Sequence, residues 1–348
     1  MGGIDTTLYG LIHDFFMIYL PKHRHCSPNT IRAYRSALEQ FLDFTKAQHG
    51  VDLTGITFKM LDRDMLLKYL DSVEERGCGI STRNHKLNCI RAFYTYAAQL
   101  DPATVIHKSE IDKVPMKKLS KPDIIDHMDE AAIKALLEQP NPLTKKGLRD
   151  RFMMMLMYDT AARVQEVVDI RLRDVKLGKK PVIILHGKGA KDRPVPLMKQ
   201  TVDYYGLYLK AFHADENRYA DQPMFYSLFH GCKTPLDTST VRKLIKAYGK
   251  AAGSRCADVH ENVHPHLLRH SRAMHLYQHG MDLTLLAQWL GHVNLETTLI
   301  YAHADTELKR KAIDSATPAG NPLRSKLNAK RFTVSDDETL KKLYGLKG

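Results

Sequence analysis

HPHLLRHSRAMHLYQHG (264–280), followed by LAQWLGHVNLETTLIYAH (286–303), is the most informative part of this chain. Pro265 predicts the first turn of a helix, and the three-residue spacing of His266 and Arg269 places both on one face of it. Gly291, directly after Leu283–Leu290, predicts a left-handed helix cap that leaves His292 projecting from a tight turn. Glu296 to Tyr301 then reads as a new helical start, with Tyr301 nine residues beyond His292. Cations and imidazoles brought together in this way can neutralise and protonate a phosphodiester, while a phenol on the following helix attacks phosphorus. The pattern points to metal-free phosphoryl transfer on a nucleic acid strand.

The competing reading is a zinc site, because His264, His266, His270 and His275 include a helical pair four residues apart. An arginine within that face repels a metal ion, and no nearby cysteine or carboxylate completes a ligand set. The site is therefore expected to use fixed side-chain cations, with no cofactor.

Working outward, 348 residues exceed the usual size of one hydrophobic core and predict about two domains. A hydrophobic content of 43% fits folded domains, and a net charge of +13 fits a polyanionic partner. Cys26, Cys78, Cys89, Cys232 and Cys256 form no C-x-x-C pair, so neither a zinc knuckle nor a disulfide framework is indicated and a reducing cytoplasm is expected. No apolar run reaches the length of about 18 to 20 residues that spans a bilayer, and the amino terminus has no signal-peptide pattern. A location in the prokaryotic cytoplasm or nucleoid follows as an expectation.

The first hundred residues read as four helices. The first is the apolar-rich segment Leu8 to Leu20; Ser27-Pro28 starts a second, with Ile31, Tyr34, Leu38, Phe41 and Leu42 on one face. Asp62 is placed to cap a third, carrying Met65, Leu66, Tyr69, Leu70 and Val73 inward. Ser81 is read as the cap of a fourth, with Leu87, Ile90, Phe93, Tyr94 and Ala97 inward and Arg83, Lys86 and Arg91 outward. From Asp101 to about Asp126 the periodicity fails, and KVPMKKLSKPD (113–123) reads as a basic linker. Asp129 then caps a helix that opens the second domain. There the convincing strands are Pro181 to His186 and Asp192 to Leu197, flanking Gly187-Lys188-Gly189-Ala190-Lys191. After Pro318 comes a basic tail with a short helix capped by Ser335. The fold class is thus mainly α with a small β-hairpin: a helical domain over 1–103, a linker over 104–125, a mixed α+β domain over 126–318 and a tail over 319–348.

Two further positions join the first motif. Arg163 follows a turn after the apolar helix Phe152 to Tyr158, with Glu166 one helical turn on to pair with its guanidinium. An arginine suits a nonbridging phosphate oxygen because its planar fork donates two hydrogen bonds and keeps its charge. Lys188 sits at the hairpin tip between two glycines, which let the backbone approach DNA. Lys191 and Arg193 share that hairpin as nearby alternatives to Lys188 and are read as phosphate contacts.

HPHLLRHSRAMHLYQHG, LAQWLGHVNLETTLIYAH, HGKGAKDRPVPL (186–197) and TAARVQEVVDI (160–170) resemble the tyrosine recombinase family of phage-type integrases and Xer-type resolvases. The resemblance implies a helical core-binding domain and a catalytic domain that clamp duplex DNA. It implies Arg163, Arg269 and His292 as stabilisers of phosphate charge, Lys188 as proton donor to the leaving 5′ oxygen, His266 as general base and Tyr301 as nucleophile. It further implies a 3′-phosphotyrosyl intermediate, a duplex bearing a specific recombination site, and a homo-tetramer on two duplexes. Residues from about Thr306, including Leu308 and Ile313, are candidates for docking in a neighbour. Arg83, Lys86 and Arg91, and Arg242 and Lys243 on Thr238 to Lys250, are candidate DNA contacts. One departure is Ala161, where many members of the family have glycine. A type IB topoisomerase shares the chemistry, and a silent DNA-binding protein shares the charge. The target sequence, and whether the outcome is integration, excision, inversion or resolution, are not encoded legibly.

Overall fold

A computed structural model describes residues 6–119, 126–187, 191–217, 219–292, 294–304 and 313. The side chains of Thr6, Lys191, His303 and Ala304 lie outside that description. The chain divides into two units, Met1–Lys121 and Pro122–Gly348.

The first unit is helical. Helix α1 (Thr6–Asp14) runs into a π-helical segment, Phe15–His23. Helix α2 (Pro28–His49) starts where the Ser27 hydroxyl accepts from the Thr30 amide at 3.3 Å, and it ends at Gly50, whose φ is 63°. Helix α3 (Arg63–Glu75) is capped by the Asp62 carboxylate, which accepts from Met65 N at 2.8 Å. Helix α4 (Ile80–Leu100) has Gly79 as its N-cap, two residues before the expected Ser81, which lies inside the first turn. The apolar faces read from the sequence meet in one core, where Leu66, Tyr69, Leu70, Leu87, Ile90, Tyr94 and Ala97 have no exposed surface.

Two expectations for this unit are overturned. The stretch read as a linker folds into α5 (Val105–Asp112) and buries Ile111 and Val114 in the same core. Arg83, expected to point outward, is 2% exposed because the chain after α5 lies across it: its guanidinium donates to Pro115 O at 2.9 Å, and Asn84 holds Lys117 O at 2.7 Å. Arg91 likewise donates to Asp112 O and Val114 O, and Lys86 to Gln40. A face of α4 that looks basic in sequence thus ties down the following segment.

The second unit is built around α7 (Lys145–Thr160), which is apolar on every side between Phe152 and Met157 and is accordingly sheathed by other elements. Helix α6 (Glu130–Leu137) precedes it, capped by Asp129, which accepts from Ala132 N at 2.7 Å. After α7 come α8 (Val164–Asp169) and a three-stranded antiparallel sheet, β1 (Val175–Lys176), β2 (Val182–Gly187) and β3 (Lys191–Pro196), in that order. Ile183 and Leu185 of β2 and Val195 of β3 turn into the core. Helix α9 (Lys199–Phe212) follows, then a second hairpin that the sequence reading missed, β4 (Tyr226–Phe229) with β5 (Cys232–Pro235). Its turn is His230-Gly231, both with positive φ (47° and 77°), the geometry of a two-residue hairpin turn. Helices α10 (Thr238–Gly253), α11 (Pro265–Gln278), α12 (Leu283–Leu290) and α13 (Glu296–Ala304) complete the described unit. The tail proposals at Thr306, Leu308 and Ser335 fall outside the described residues. No described helix is long and apolar enough to cross a membrane.

Candidate active site

Helix ends assemble the site. Helix α7 closes at Ala161, which adopts the left-handed conformation (φ 51°, ψ 31°). That geometry costs a residue with a Cβ about 1 kcal/mol or more, so the turn that glycine would make freely is made here under strain. It delivers Arg163 to the amino end of α8. There Glu166 accepts from the Arg163 backbone amide at 2.8 Å and from its guanidinium at 2.9 Å.

Glu166 is also held from the sheet. Arg193, opposite Leu185 on β3, donates from both terminal nitrogens to the two carboxylate oxygens at 2.9 and 2.7 Å. Its Nε donates to Trp289 O at 2.9 Å. Burial alone raises the pKa of Glu166, but the hydrogen bonds and charge of Arg193 and Arg163 outweigh it and hold the carboxyl below its ordinary value. Arg193, read from sequence as a phosphate contact, is thus committed to Glu166 and to α12. Lys188 lies outside the described residues, as does the side chain of Lys191.

Arg269 is 4% exposed and charged, an arrangement that needs compensation. It donates to Ala161 O and Leu290 O, both at 2.6 Å. These are carbonyls at the carboxy-terminal ends of α7 and α12, where unpaired C=O groups and the negative helix pole favour a cation. Burial, with help from the charge of Arg163, lowers its pKa to about 10, which leaves it charged at neutrality. The turn at Gly291 (φ 64°) brings α12 so close that a Cβ there would lie 2.9 Å from Arg193 Nη1.

His292 follows that turn. Its Nε2 is 3.2 Å from Arg269 Nη2, and its Nδ1 is 2.9 Å from the buried Thr298 hydroxyl. Burial, then the charges of Arg269 and Arg163, lower its pKa to about 4. A neutral ring bonded on one side by the cation accepts at Nε2 and donates from Nδ1. His266 presents an exposed edge, while the protein behind its ring and the charge of Arg269 hold its pKa below 6.5.

Tyr301 has no exposed surface. It packs in a small apolar cluster with Ala161, Ala273, Met274, Leu286 and Leu290, and its hydroxyl lies 2.9 Å from His270 Nδ1. His270, not His266, is the imidazole in contact with the phenol; its ring centroid is 6.4 Å from that of His266. Burial pushes the Tyr301 pKa up to about 12 although Arg269 and Arg163 pull it down. At neutrality about one phenol in 10⁵ is then ionised, so this is a stowed placement of the group. Sequence reading weighed His270 only as one of a possible zinc group with His264, His266 and His275, because its phenol partner lies 31 residues further on and is not encoded in the spacing. Among the described residues no group of three or more His, Cys, Asp or Glu is arranged to hold a metal ion.

Of the remaining candidate DNA contacts, Arg242 and Lys243 are exposed on α10. The six residues picked out by motif spacing thus divide: Arg163, Arg269 and His292 come together, Tyr301 lies beside them under His270, His266 faces outward one helical turn from His270, and Lys188 is outside the description.

Residues 126–307 match the profile of the Phage integrase family, and residues 14–100 that of the Phage integrase N-terminal SAM-like domain. Tyrosine recombinase XerD of Staphylococcus aureus is 30% identical over 312 residues, covering 88% of this chain and 98% of that protein. A putative integrase/recombinase, y4rC, of Sinorhizobium fredii is 29% identical over 318 residues, covering 90% and 92%. Among solved structures, XerH site-specific recombinase bound to difH superposes with a TM-score of 0.63 at 21% identity, over 90% of this chain and 89% of that one. A lambda integrase dimer bound to a COC′ core site does so with a TM-score of 0.59 at 16% identity, over 86% and 95%. These two similarities are similarities of fold.

Proposed function

Because the chain belongs to the phage integrase family, we propose that it is a site-specific DNA recombinase that cuts and rejoins strands through a 3′-phosphotyrosyl intermediate. The observation that carries this reading is the single hydrogen-bonded assembly in which Glu166 joins Arg163 to Arg193, and Arg269 joins the ends of α7 and α12 to His292, beside Tyr301.

The Tyr301 oxygen attacks phosphorus as its proton passes to an imidazole. The P–O5′ bond breaks and the leaving oxygen takes a proton from Lys188. Arg163 and Arg269 donate to the nonbridging oxygens, where charge develops, and His292 joins them in the tautomer that carries its proton on Nε2, its Nδ1 then accepting from the Thr298 hydroxyl. A 5′ hydroxyl from the partner duplex reverses the step. The ester conserves the energy of the broken bond, so neither ATP nor a metal ion is required. His266 is the family-like proton acceptor; His270, already at the phenol, first has to let the hydroxyl go or take its proton itself. Duplex DNA with a specific site is the substrate, and a homo-tetramer on two duplexes is the working assembly.

A plasmid carrying two copies of a candidate site separates the alternatives. In excess chelator, a recombinase exchanges flanking DNA between the sites and leaves a protein-linked 3′ end on a nicked substrate. Relaxation without exchange would identify a topoisomerase, and binding without any covalent product a silent DNA-binding protein.

A further inference from the structure

His292 stands between two groups of different hydrogen-bonding capacity. On one side its Nε2 lies 3.2 Å from Arg269 Nη2, and that same guanidinium nitrogen donates to Leu290 O at 2.6 Å. Nη2 carries two hydrogens and no lone pair, so both of its hydrogens are taken and the imidazole accepts one of them. On the other side Nδ1 lies 2.9 Å from the hydroxyl of Thr298, a fully buried residue in the first turn of α13, three residues before Tyr301. Burial, with the charges of Arg269, Arg163 and Arg193, keeps the ring neutral. Its one proton is therefore on Nδ1, donated to Thr298. In this state Nε2 occupies a hydrogen of Arg269 that a phosphate oxygen would take, and it has no proton of its own to offer.

We propose that Thr298 is a positioning residue that lets His292 reverse its hydrogen bonds when DNA enters, so that one ring is first a placeholder on Arg269 and then a donor to the phosphate. This rests on the proposed recombinase chemistry. As a nonbridging oxygen takes over the Arg269 Nη2 hydrogen, the half-exposed ring gains a proton from water on Nε2 and returns its Nδ1 proton to water. Its charge is unchanged. The reversal needs a partner at Nδ1 that accepts in one state and donates in the other, and a hydroxyl does both. A carbonyl or carboxylate in that place would accept only, and would hold the proton on Nδ1 throughout. Because the hydroxyl belongs to α13, the same bond ties the ring to the helix that carries Tyr301.

Two measurements test this. The first is NMR of protein labelled at its histidine ring nitrogens, at neutral pH, with the His292 signals identified by their loss in His292→Gln. The proton is expected on Nδ1 in the free protein, and on Nε2 when Tyr301→Phe is bound to a nicked duplex. A ring that keeps its proton on Nδ1 alone when DNA is bound, or carries one on each nitrogen, would overturn the proposal. The second is single-turnover cleavage of the same duplex. Thr298→Val keeps the shape without the hydroxyl and is expected to cut about tenfold or more slowly at unchanged DNA affinity, whereas Thr298→Ser restores the hydroxyl and should cut within about threefold of wild type. Equal rates for the two variants would show that packing, not the hydroxyl, is what matters, and would also overturn it. The ring measurement changes nothing at Thr298, so it decides the matter even where the valine variant does not fold. If wild type forms no covalent adduct on this duplex, the recombinase reading falls and takes the proposal with it; an adduct with no reversal of the ring leaves that reading standing and sinks the role of Thr298.

Discussion

The Tyr301 hydroxyl lies 2.9 Å from His270 Nδ1, and the ring around it is fully buried. The proposed nucleophile is thus held under an imidazole that directly follows Arg269 in α11. A buried phenol left without a partner costs about 1 to 3 kcal/mol. His270→Ala is therefore expected to loosen α13, with amide exchange across Glu296–Ala304 rising about tenfold or more while α7 exchanges as in wild type. Unchanged exchange over α13 would show that the bond does not hold the helix.

The histidines of this region make stability depend on pH. Burial lowers His270 and His292 from 6.5 to about 4 each, with the charges of neighbouring His266 and Arg269 adding to the effect. A depressed folded-state pKa means that the unfolded chain binds protons first. Their contribution is thus complete above 6.5 and is lost as pH falls toward about 4. Urea midpoints are expected to fall across this window and to fall less steeply in His270→Gln and His292→Gln. Parallel curves for wild type and both variants would contradict this origin.

Glu166 aligns two guanidiniums at once. Glu166→Ala leaves Arg193, whose side chain is 11% exposed, without its charge partner and is expected to destabilise the protein by about 3 kcal/mol. Arg163→Ala or Arg269→Ala removes a donor to the transition state and is expected to slow cleavage by about a hundredfold or more with DNA affinity nearly unchanged. Near-normal cleavage by both arginine variants, measured on a nicked duplex, would put the phosphate elsewhere.

At Gly291, φ is 64° and an added Cβ would stand 2.9 Å from Arg193 Nη1. Gly291→Ala is expected to cost about 1 kcal/mol for the left-handed backbone and to shift Arg193 and His292 as well. Cleavage should fall by more than the change in thermal stability explains. A variant that cuts at the wild-type rate would show that the turn does not set the position of His292.

What could be read from the residues was mostly local. Ser27, Asp62, Asp129 and Gly291 each start or stop a helix through bonds within four residues, and Pro265 starts one through its fixed φ, so their roles are legible in any context. Arg83 was misread because its partner, Pro115 O, is supplied by a segment 32 residues away whose own sequence looks like a linker. Arg193 was misread for the same reason, since Glu166 is 27 residues distant. The β4–β5 hairpin escaped because its strands are largely exposed and show no apolar alternation; His230-Gly231 was its one available signal. In the site, spacing found the charged residues, whereas the burial of Tyr301 under His270 depends on packing that spacing does not encode.

Tyr301 as the covalent nucleophile is tested most directly by trapping protein on a nicked duplex in excess chelator, digesting the product, and locating the DNA-linked residue by mass spectrometry alongside Tyr301→Phe. The expected result is a 3′-linked adduct on the peptide containing Tyr301, and a phenylalanine variant that binds DNA as wild type does but forms none. An adduct on another residue, or one formed by Tyr301→Phe, would contradict the assignment.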